Sequence, residues 1–218
     1  MTRLPAPPLL LVTDLAQARS SLNTIVASAF AAGCRWISIR EKHLTREQQI
    51  ALVAEARSAA ASGALRLTIH GDAELALAAR TDGVHLPAGA DPVAARAQLG
   101  ESALIGLSVH AVAEVGALSD IARTALDYVI AGPAYPSASK PGYRGEVTES
   151  GYAALVRRCG ELPMIAIGGI EPGNVASLID DGVAGIAVMG GVMRAPDIGV
   201  AVCGYLTALN AAACRSSG

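Results

Sequence analysis

Aromatic residues, net charge and paired cysteines are all scarce in this sequence, and each scarcity excludes a class of protein. Aromatic side chains make up 3% of the 218 residues, and the formal net charge is -2. The chain therefore lacks the basic surface that attracts nucleic acid or an anionic membrane, and it lacks the aromatic platform on which single strands stack. We predict neither nucleic acid nor a membrane as a partner.

The cysteines and the N-terminus indicate a cytoplasmic protein. The cysteines have no C-x-x-C spacing, so we interpret them as reduced thiols and not as a zinc site. The Pro-rich stretch Leu4–Pro8 lacks the basic segment, long apolar segment and cleavage site of a signal peptide. We also find no apolar stretch of the roughly 18 residues that a membrane span needs. The cysteines are Cys34, Cys159, Cys203 and Cys214.

The hydrophobic residues, 52% of the chain, recur in short runs that alternate with Ala-rich helical stretches. Continuous apolar strands predict a parallel sheet covered by helices on both faces. Eight such units predict an α/β fold, a single (βα)8 TIM barrel over about 9–212 in one domain, 1–218. An open doubly wound sheet is the alternative, and the absence of G-x-G-x-x-G after the first strand disfavours it. The predicted strands are Leu9–Val12, Trp36–Ile39, Leu65–Ile69, Gly83–Leu86, Ile105–Ser108, Tyr128–Ala131, Met164–Ile167 and Gly185–Met189.

Local signals predict where some of the helices begin and end. Thr45 followed by Gln48 predicts a capping box at the start of the second helix. The apolar pattern of Ala111–Ala122 has the helical period and predicts one continuous helix.

Glycine pairs follow the last two predicted strands, Gly168-Gly169 after the seventh and Gly190-Gly191 after the eighth. Active sites of this fold lie at the C-terminal ends of the strands, and the loops after strands 7 and 8 form its usual phosphate site. Glycines there let backbone N–H groups approach a phosphate. Tight turns would explain the same glycines, but their coincidence with these two strands favours phosphate binding.

Three cations are expected at the same rim. Arg40 and Lys42 flank Glu41 after the second strand, and alternation sends Arg40 and Lys42 to one side and Glu41 to the other. Two cations projecting into a rim suit a diphosphate, with Arg as a fork and Lys as a point charge. Lys140, in the irregular stretch Gly132–Thr148, could close over a phosphate oxygen. The alternative for Arg40 and Lys42 is a solvated charge cluster, and the alternative for Lys140 is an ordinary loop lysine.

A hydroxyl and three histidines follow the strands in the middle of the chain. Ser108 and His110 come at the end of the fifth strand, where a hydroxyl can donate to a phosphate and a histidine can act as a general acid or base. His70 and His85 occupy equivalent rim positions after the third strand and in the fourth. A lone histidine is usually structural, and no H-x-x-x-H spacing argues for zinc.

In their order and spacing, these motifs resemble those of the thiamin phosphate synthase/TenI family. Leu10–Asp14 is similar to the family's opening LVTD, and Gly132–Pro141 is similar to its GPxFPTxTKP. Each motif is short, but their shared order over about Leu10 to Met193 makes the resemblance specific. The other matching segments are Ser38–Lys42, Gly83–Leu86, Ile105–His110, Asp127–Val129, Ala166–Ile170 and Gly185–Met189.

The resemblance implies an enzyme of thiamin biosynthesis. Hydroxymethylpyrimidine diphosphate loses diphosphate, and the nitrogen of hydroxyethylthiazole phosphate captures the resulting pyrimidine cation. A leaving diphosphate calls for cations and usually Mg2+. By position, the resemblance assigns diphosphate binding to Arg40, Lys42, Ser108 and Lys140, and thiazole phosphate binding to Gly168, Gly169, Met189 and Gly190. The catalytic candidates are Ser108, His110 and Lys140, and those for the pyrimidine pocket are His70 and His85.

The aspartates that bind Mg2+ in the synthases are absent at their usual positions. Gly71 and Ala90 stand there, and Asp72 and Asp91 each lie one residue later. We predict Asp72 and Asp91 as the metal ligands, although a shift of one residue normally turns a side chain to the other side. The pattern around Gly71 resembles the TenI branch, whose thiazole tautomerase needs no metal and has a proposed acid/base histidine at the position of His110.

Three functions therefore compete. We favour the synthase, with Mg2+ as its cofactor, because a tautomerase has no diphosphate to bind. The alternatives are a tautomerase without a cofactor, with His110 as its acid/base, and a non-catalytic barrel that senses thiazole or thiamin phosphate. The expected partners are phosphorylated pyrimidine and thiazole substrates, and a homodimer is the default expectation from the frequency of dimers.

Overall fold

The computed structural model describes residues 3–60, 64–136 and 151–216, and its strands form a closed parallel barrel in the order β1 to β8. The last strand closes on the first, with Leu10 opposite Ala187. The predicted (βα)8 barrel is confirmed and the open sheet is wrong. The strands are β1 (Leu9–Val12), β2 (Trp36–Ile39), β3 (Arg66–His70), β4 (Gly83–Leu86), β5 (Leu104–Val109), β6 (Tyr128–Ala131), β7 (Met164–Ile167) and β8 (Gly185–Val188).

The helices surround the barrel and pack against its outer face. Thr45 and Gln48 form the predicted capping box at the start of the second helix. The helix predicted over Ala111–Ala122 is two helices instead, because the Ser119 hydroxyl accepts the N–H of Ala122 and starts a new one. The described helices are α1 (Leu22–Ala31), α2 (Arg46–Ala59), α3 (Ala73–Ala79), α4 (Pro92–Leu99), α5 (Val112–Ala117), α6 (Asp120–Ala125), α7 (Tyr152–Cys159), α8 (Val175–Asp180), α9 (Gly190–Met193) and α10 (Ile198–Ser216).

Alternation along each strand divides the core into two parts. Outward side chains such as Leu11 and Ile37 pack under the helices, and inward side chains such as Leu10 and Trp36 fill the barrel. The base of the interior is filled by Trp36 and Tyr128, which meet edge to face with ring centroids 4.8 Å apart. The barrel is therefore plugged from below, and space for a ligand remains at the C-terminal ends of the strands.

The last helix corrects one expectation from the sequence. By length and composition alone, the segment Ile198–Arg215 of α10 is apolar enough to cross a bilayer. The prediction that no such stretch exists was wrong, because this segment carries no acidic or basic side chain before Arg215. In the structure, α10 packs against α8 and α1 as an outer helix of the barrel, and Val202 and Leu209 are buried.

None of the four cysteines forms a disulfide. All four are free thiols, with Cys34 and Cys159 buried and Cys203 and Cys214 exposed. Within residues 3–60, 64–136 and 151–216, no group of three His, Cys, Asp or Glu side chains could bind a metal ion.

Candidate active site

A cavity of about 540 Å³ opens at the C-terminal ends of the strands. Its size suits a small organic ligand. Among the described residues that line it, three carry a positive charge, Arg40, Lys42 and Arg194, and one carries a negative charge, Glu171. The structure therefore brings most of the predicted site into one cationic cavity. The predicted residues that line it are Arg40, Lys42, His70, His85, Ser108, His110, Gly168, Gly169, Met189 and Gly190.

The strand ends give the cavity two unlike walls. Its polar wall consists of His70, His85 and Ser108, from β3, β4 and β5. Its apolar wall consists of aliphatic side chains from β1, β6, β7 and β8. A ligand can therefore form hydrogen bonds on one side and apolar contacts on the other. The apolar wall residues are Val12, Ile130, Ile167 and Ala187.

The polar wall is a contiguous set of side chains. The His85 Nε2 atom lies 2.8 Å from the Ser108 Oγ atom, a hydrogen-bond distance. The rings of His70 and His85 are 4.5 Å apart between centroids, because their residues are directly opposite on β3 and β4. The ring of His85 also stacks on Tyr128 below it. The imidazole of His85 is thus held between two rings and directed at the hydroxyl.

Both histidines of the polar wall are held neutral. Burial lowers the pKa of His85 to about 3, with smaller contributions from the charges of Lys42 and Arg40. Burial also lowers the pKa of His70 well below its usual range, and His85 and Arg40 add to that effect. Neutral imidazoles offer one donor and one acceptor each, so they suit recognition of an uncharged heterocycle.

Several polar atoms of the barrel interior have no partner among the described residues. A buried polar group without a hydrogen bond costs about 1–3 kcal/mol, so each such atom is a candidate for ligand contact. Two belong to the polar wall: the second ring nitrogen of His85, whose first contacts Ser108, and one ring nitrogen of His70. The atoms are His70 Nε2, His85 Nδ1, Ser38 Oγ and Tyr128 Oη.

The cations after β2 face the cavity, as alternation predicted. Arg40 and Lys42 line it, and Glu41 between them is buried on the opposite side. Both carboxylate oxygens of Glu41 accept the N–H of Leu15, at 3.0 and 3.1 Å. The backbone N–H of Arg40 donates to the Thr13 hydroxyl. These two bonds attach the end of β2 to the end of β1, and they fix the backbone from which the cations project.

The glycines after β7 allow two loops to meet closely. Gly168 and Gly169 have positive φ angles of 99° and 63°. A Cβ atom on Gly169 would lie 2.5 Å from the Tyr135 carbonyl oxygen, so only glycine fits. The N–H of Tyr135 donates to the Gly168 carbonyl at 3.0 Å, which joins the loop after β6 to the loop after β7. These glycines serve the packing of the rim as well as the approach of a ligand.

His110 and Lys140 remain among the predicted catalytic residues. His110 lines it but is exposed, and its backbone N–H donates to Glu114. Lys140 lies outside the described residues, and its role stays a prediction.

The two candidate metal ligands are engaged in structural contacts away from the cavity lining. Asp72 caps α3 through the N–H of Leu75 and forms a two-bond ion pair with Arg46, at 2.8 and 3.1 Å. The ion pair lowers the pKa of Asp72. Asp91 caps α4 by accepting the N–H groups of its first turn. The residues present therefore do not fit a Mg2+ site with two aspartates, and the assignment of Asp72 and Asp91 as ligands stays a prediction that no contact supports.

Sequence reasoning missed two charged cavity residues, Arg194 and Glu171. Arg194 follows the short helix α9, and Glu171 precedes the 3-10 turn Pro172–Asn174. Neither lies directly after a strand. The rule that strand ends supply site residues could not find them, and no local motif marks either one.

The fold and this cavity define a class: a TIM-barrel enzyme that acts on anionic small molecules at its C-terminal rim. Comparison with known proteins gives the family. Residues 9–192 match the family described as thiamine monophosphate synthase, TMP-TENI, and the chain belongs to that family.

Named relatives agree with that membership. The chain is 36% identical to a putative thiamine-phosphate synthase of Geobacter sulfurreducens, over 87% of this chain and 88% of that protein. It is 38% identical to a bifunctional ThiM/ThiE thiamine biosynthesis protein of Symbiobacterium thermophilum, over 90% of this chain but only 42% of that longer protein. The barrel resembles a thiamine phosphate pyrophosphorylase from Pyrococcus furiosus with a TM-score of 0.77 and 24% identity, covering 94% of this chain and 96% of that one.

Proposed function

We propose that this protein is a thiamine-phosphate synthase, which couples hydroxymethylpyrimidine diphosphate with hydroxyethylthiazole phosphate. The carbon–oxygen bond to the diphosphate breaks, and its electron pair leaves with diphosphate. The thiazole nitrogen then donates its lone pair to the pyrimidine methylene carbon, which gives thiamin phosphate. The observation that carries the proposal is the placement of the Arg40–Lys42 pair and the glycine loops on one cavity, so that two phosphorylated substrates can meet.

The cations after β2 suit the departing diphosphate. Charge grows on the leaving oxygens as the bond breaks, and preorganised cations stabilise that charge most at the transition state. Neither Arg40 nor Lys42 is within 4.0 Å of a carboxylate among the described ion pairs, so no described carboxylate neutralises either charge. Lys140, predicted for the same group, would add a third cation.

The polar wall suits the pyrimidine. Its ring nitrogens and amino group need uncharged donors and acceptors, which the two neutral histidines supply. His85 also fixes the direction of the Ser108 hydroxyl through their 2.8 Å contact. We assign His85 as a positioning residue for Ser108, and Ser108 as a donor to the leaving diphosphate.

The described residues do not form the two-aspartate Mg2+ site that the resemblance implies. Among the described residues that line the cavity, Glu171 is the only acidic one, and Asp72 and Asp91 cap helices instead. The proposed steps above therefore use only side chains of this chain, and Mg2+ dependence enters the assay as a variable.

A thiazole tautomerase is the second candidate, and the glycine and alanine at positions 71 and 90 favour it. Its acid/base would be His110, whose imidazole has no hydrogen-bond partner among the described residues. This candidate leaves Arg40 and Lys42 without a role. His110→Ala would abolish isomerisation of the thiazole carboxylate if it is correct. A sensor would bind thiazole or thiamin phosphate and convert neither.

The deciding experiment incubates the purified protein with both substrates over a range of Mg2+ concentrations and measures thiamin phosphate. The synthase forms product, and His110→Ala retains most of that rate. No product at any Mg2+ concentration, together with isomerisation of the thiazole carboxylate, would establish the tautomerase and overturn the proposal.

A further inference from the structure

We propose that Arg194 binds the phosphate of the thiazole substrate and that Gln17 and Asp14 position it there. The inference rests on the proposed function for the identity of that substrate. It concerns a residue outside the motifs that identify the family in this sequence. It would make Arg194 the main charged contact that distinguishes the phosphorylated thiazole from the free alcohol.

The first argument is the location of the guanidinium. Arg194 lines the cavity beside Gly190, at the end of β8 where the fold usually binds phosphate. A Cβ atom on Gly190 would lie 2.3 Å from Arg194 Nη1 and 2.5 Å from Nη2. The guanidinium therefore covers the backbone of Gly190, and it occupies the space that any other residue at position 190 would fill. Gly190 is small so that a cation can lie there.

The second argument is that the side chain is held from behind. Nη1 of Arg194 donates to Gln17 Oε1, and Gln17 Nε2 donates to Asp14 Oδ2 at 2.5 Å. The backbone N–H of Arg19 also donates to the Met193 carbonyl. These contacts connect the loop after β1 to the loop after β8, across the closure of the barrel. A guanidinium fixed on one side retains its other donors for a ligand.

The third argument is charge. No carboxylate lies within 4.0 Å of Arg194 among the described ion pairs, whereas Arg46 and Arg96 are both paired with aspartates. Gln17 is a neutral acceptor, so it orients the guanidinium without neutralising it. An arginine that no described carboxylate neutralises, beside a glycine loop, presents a fork that matches two oxygens of a phosphate.

The position also separates the two anions of the proposed reaction. Arg40 and Lys42 follow β2, and Arg194 follows β8 on the apolar side of the cavity. One cation group therefore suits the diphosphate that leaves and the other suits the phosphate that stays. Removal of Arg194 should impair binding of the thiazole substrate alone.

The test measures binding without turnover. Isothermal titration with hydroxyethylthiazole phosphate, and with the unphosphorylated alcohol, compares wild type with Arg194→Ala, Arg194→Lys and Gln17→Ala. A charged hydrogen bond contributes about 1.5–3 kcal/mol, so Arg194→Ala should weaken phosphate binding by about 10- to 150-fold and leave alcohol binding unchanged. Arg194→Lys should retain part of the affinity. Gln17→Ala should lose less, about 3- to 10-fold, and should raise KM for the thiazole without changing kcat.

Arg157→Ala is the control, because Arg157 is an exposed arginine on α7 that does not line the cavity. Circular dichroism verifies that each variant is folded. Equal affinity of wild type and Arg194→Ala for the phosphate would overturn the inference, as would absence of binding to the wild type. If the wild type binds thiazole phosphate through Arg194 but forms no thiamin phosphate, the inference stands and the proposed function fails.

Discussion

The two walls of the cavity bind their ligands by different means. On the polar wall, side chains of the strands themselves, His70, His85 and Ser108, form the contacts. On the apolar wall, the strands contribute only aliphatic groups, and polarity comes from the loops beyond them, through glycine backbone and Arg194. Bond breaking is thus assigned to the polar wall and to the Arg40–Lys42 pair after β2, and holding of the thiazole phosphate to the loops after β7 and β8.

The difference follows from what each anion requires. A leaving diphosphate gains charge during the reaction, and groups fixed before the reaction stabilise it best. The thiazole phosphate keeps its charge throughout, so contacts to it increase affinity equally in the ground and transition states. Changes to the polar wall or to the Arg40–Lys42 pair should therefore lower kcat. Changes to Arg194 or the glycine loops should raise KM for the thiazole phosphate.

Replacement of Arg40 should have the largest effect, because Arg40 is assigned to the departing diphosphate. Loss of one preorganised charge contact at the transition state lowers kcat by about 100- to 1000-fold. We expect Arg40→Ala to show that loss, with a smaller change in KM for the thiazole phosphate. Arg66→Ala is the matched control, because Arg66 begins the neighbouring strand at the opposite end of the barrel. A kcat within threefold of wild type would remove the assigned role from Arg40.

The pH dependence of stability tests whether His85 of the polar wall is neutral in the folded protein. The pKa of His85 is about 3 in the folded protein and 6.5 by its ordinary value, so only the unfolded chain binds this proton between those values. The free energy of unfolding should therefore fall as pH decreases below 6.5, by about 1.4 kcal/mol per pH unit for this histidine, and stay unaffected by it above 6.5.

Denaturant unfolding from pH 7 to 5 checks this expectation. His85→Gln should show a shallower decline than wild type by about that slope. His43→Gln provides the comparison with an exposed histidine. Parallel declines for His85→Gln and wild type would contradict a neutral, buried His85.

Replacement of Asp72 should have the smallest effect. Asp72→Ala removes a helix cap and should lower the free energy of unfolding by about 1 kcal/mol, whereas Asp72→Asn retains a good cap and should lose less. Neither should change the Mg2+ concentration that gives half-maximal rate. A tenfold increase in that concentration for Asp72→Asn would show that the carboxylate binds the metal after all.

Much of this architecture could be predicted because the strands are short and apolar, and because glycines follow several of them. Predicted and observed strands agree to within one residue at each end, and most of the predicted site residues line one cavity. The capping roles of Asp72 and Asp91 were also accessible. Asp91 precedes Pro92 at the first position of a helix, which is a typical start signal.

The contacts of Arg194 and of His85 could not be predicted, because they join segments that are distant in sequence. Arg194 comes to the cavity because β8 pairs with β1, which brings its loop beside Gln17, and 177 positions separate those two residues in sequence. The pairing of His85 with Ser108 similarly requires the register of β4 against β5. Spacing along one chain contains no signal for either contact.

The most direct test of the central claim is the stoichiometry of the reaction. Purified protein is given equal amounts of hydroxymethylpyrimidine diphosphate and hydroxyethylthiazole phosphate, and diphosphate and thiamin phosphate are measured in the same samples over time. The account predicts one diphosphate released for each thiamin phosphate formed, with both rates lowered together by Arg40→Ala. Diphosphate release without thiamin phosphate, or neither product at any Mg2+ concentration, would contradict it.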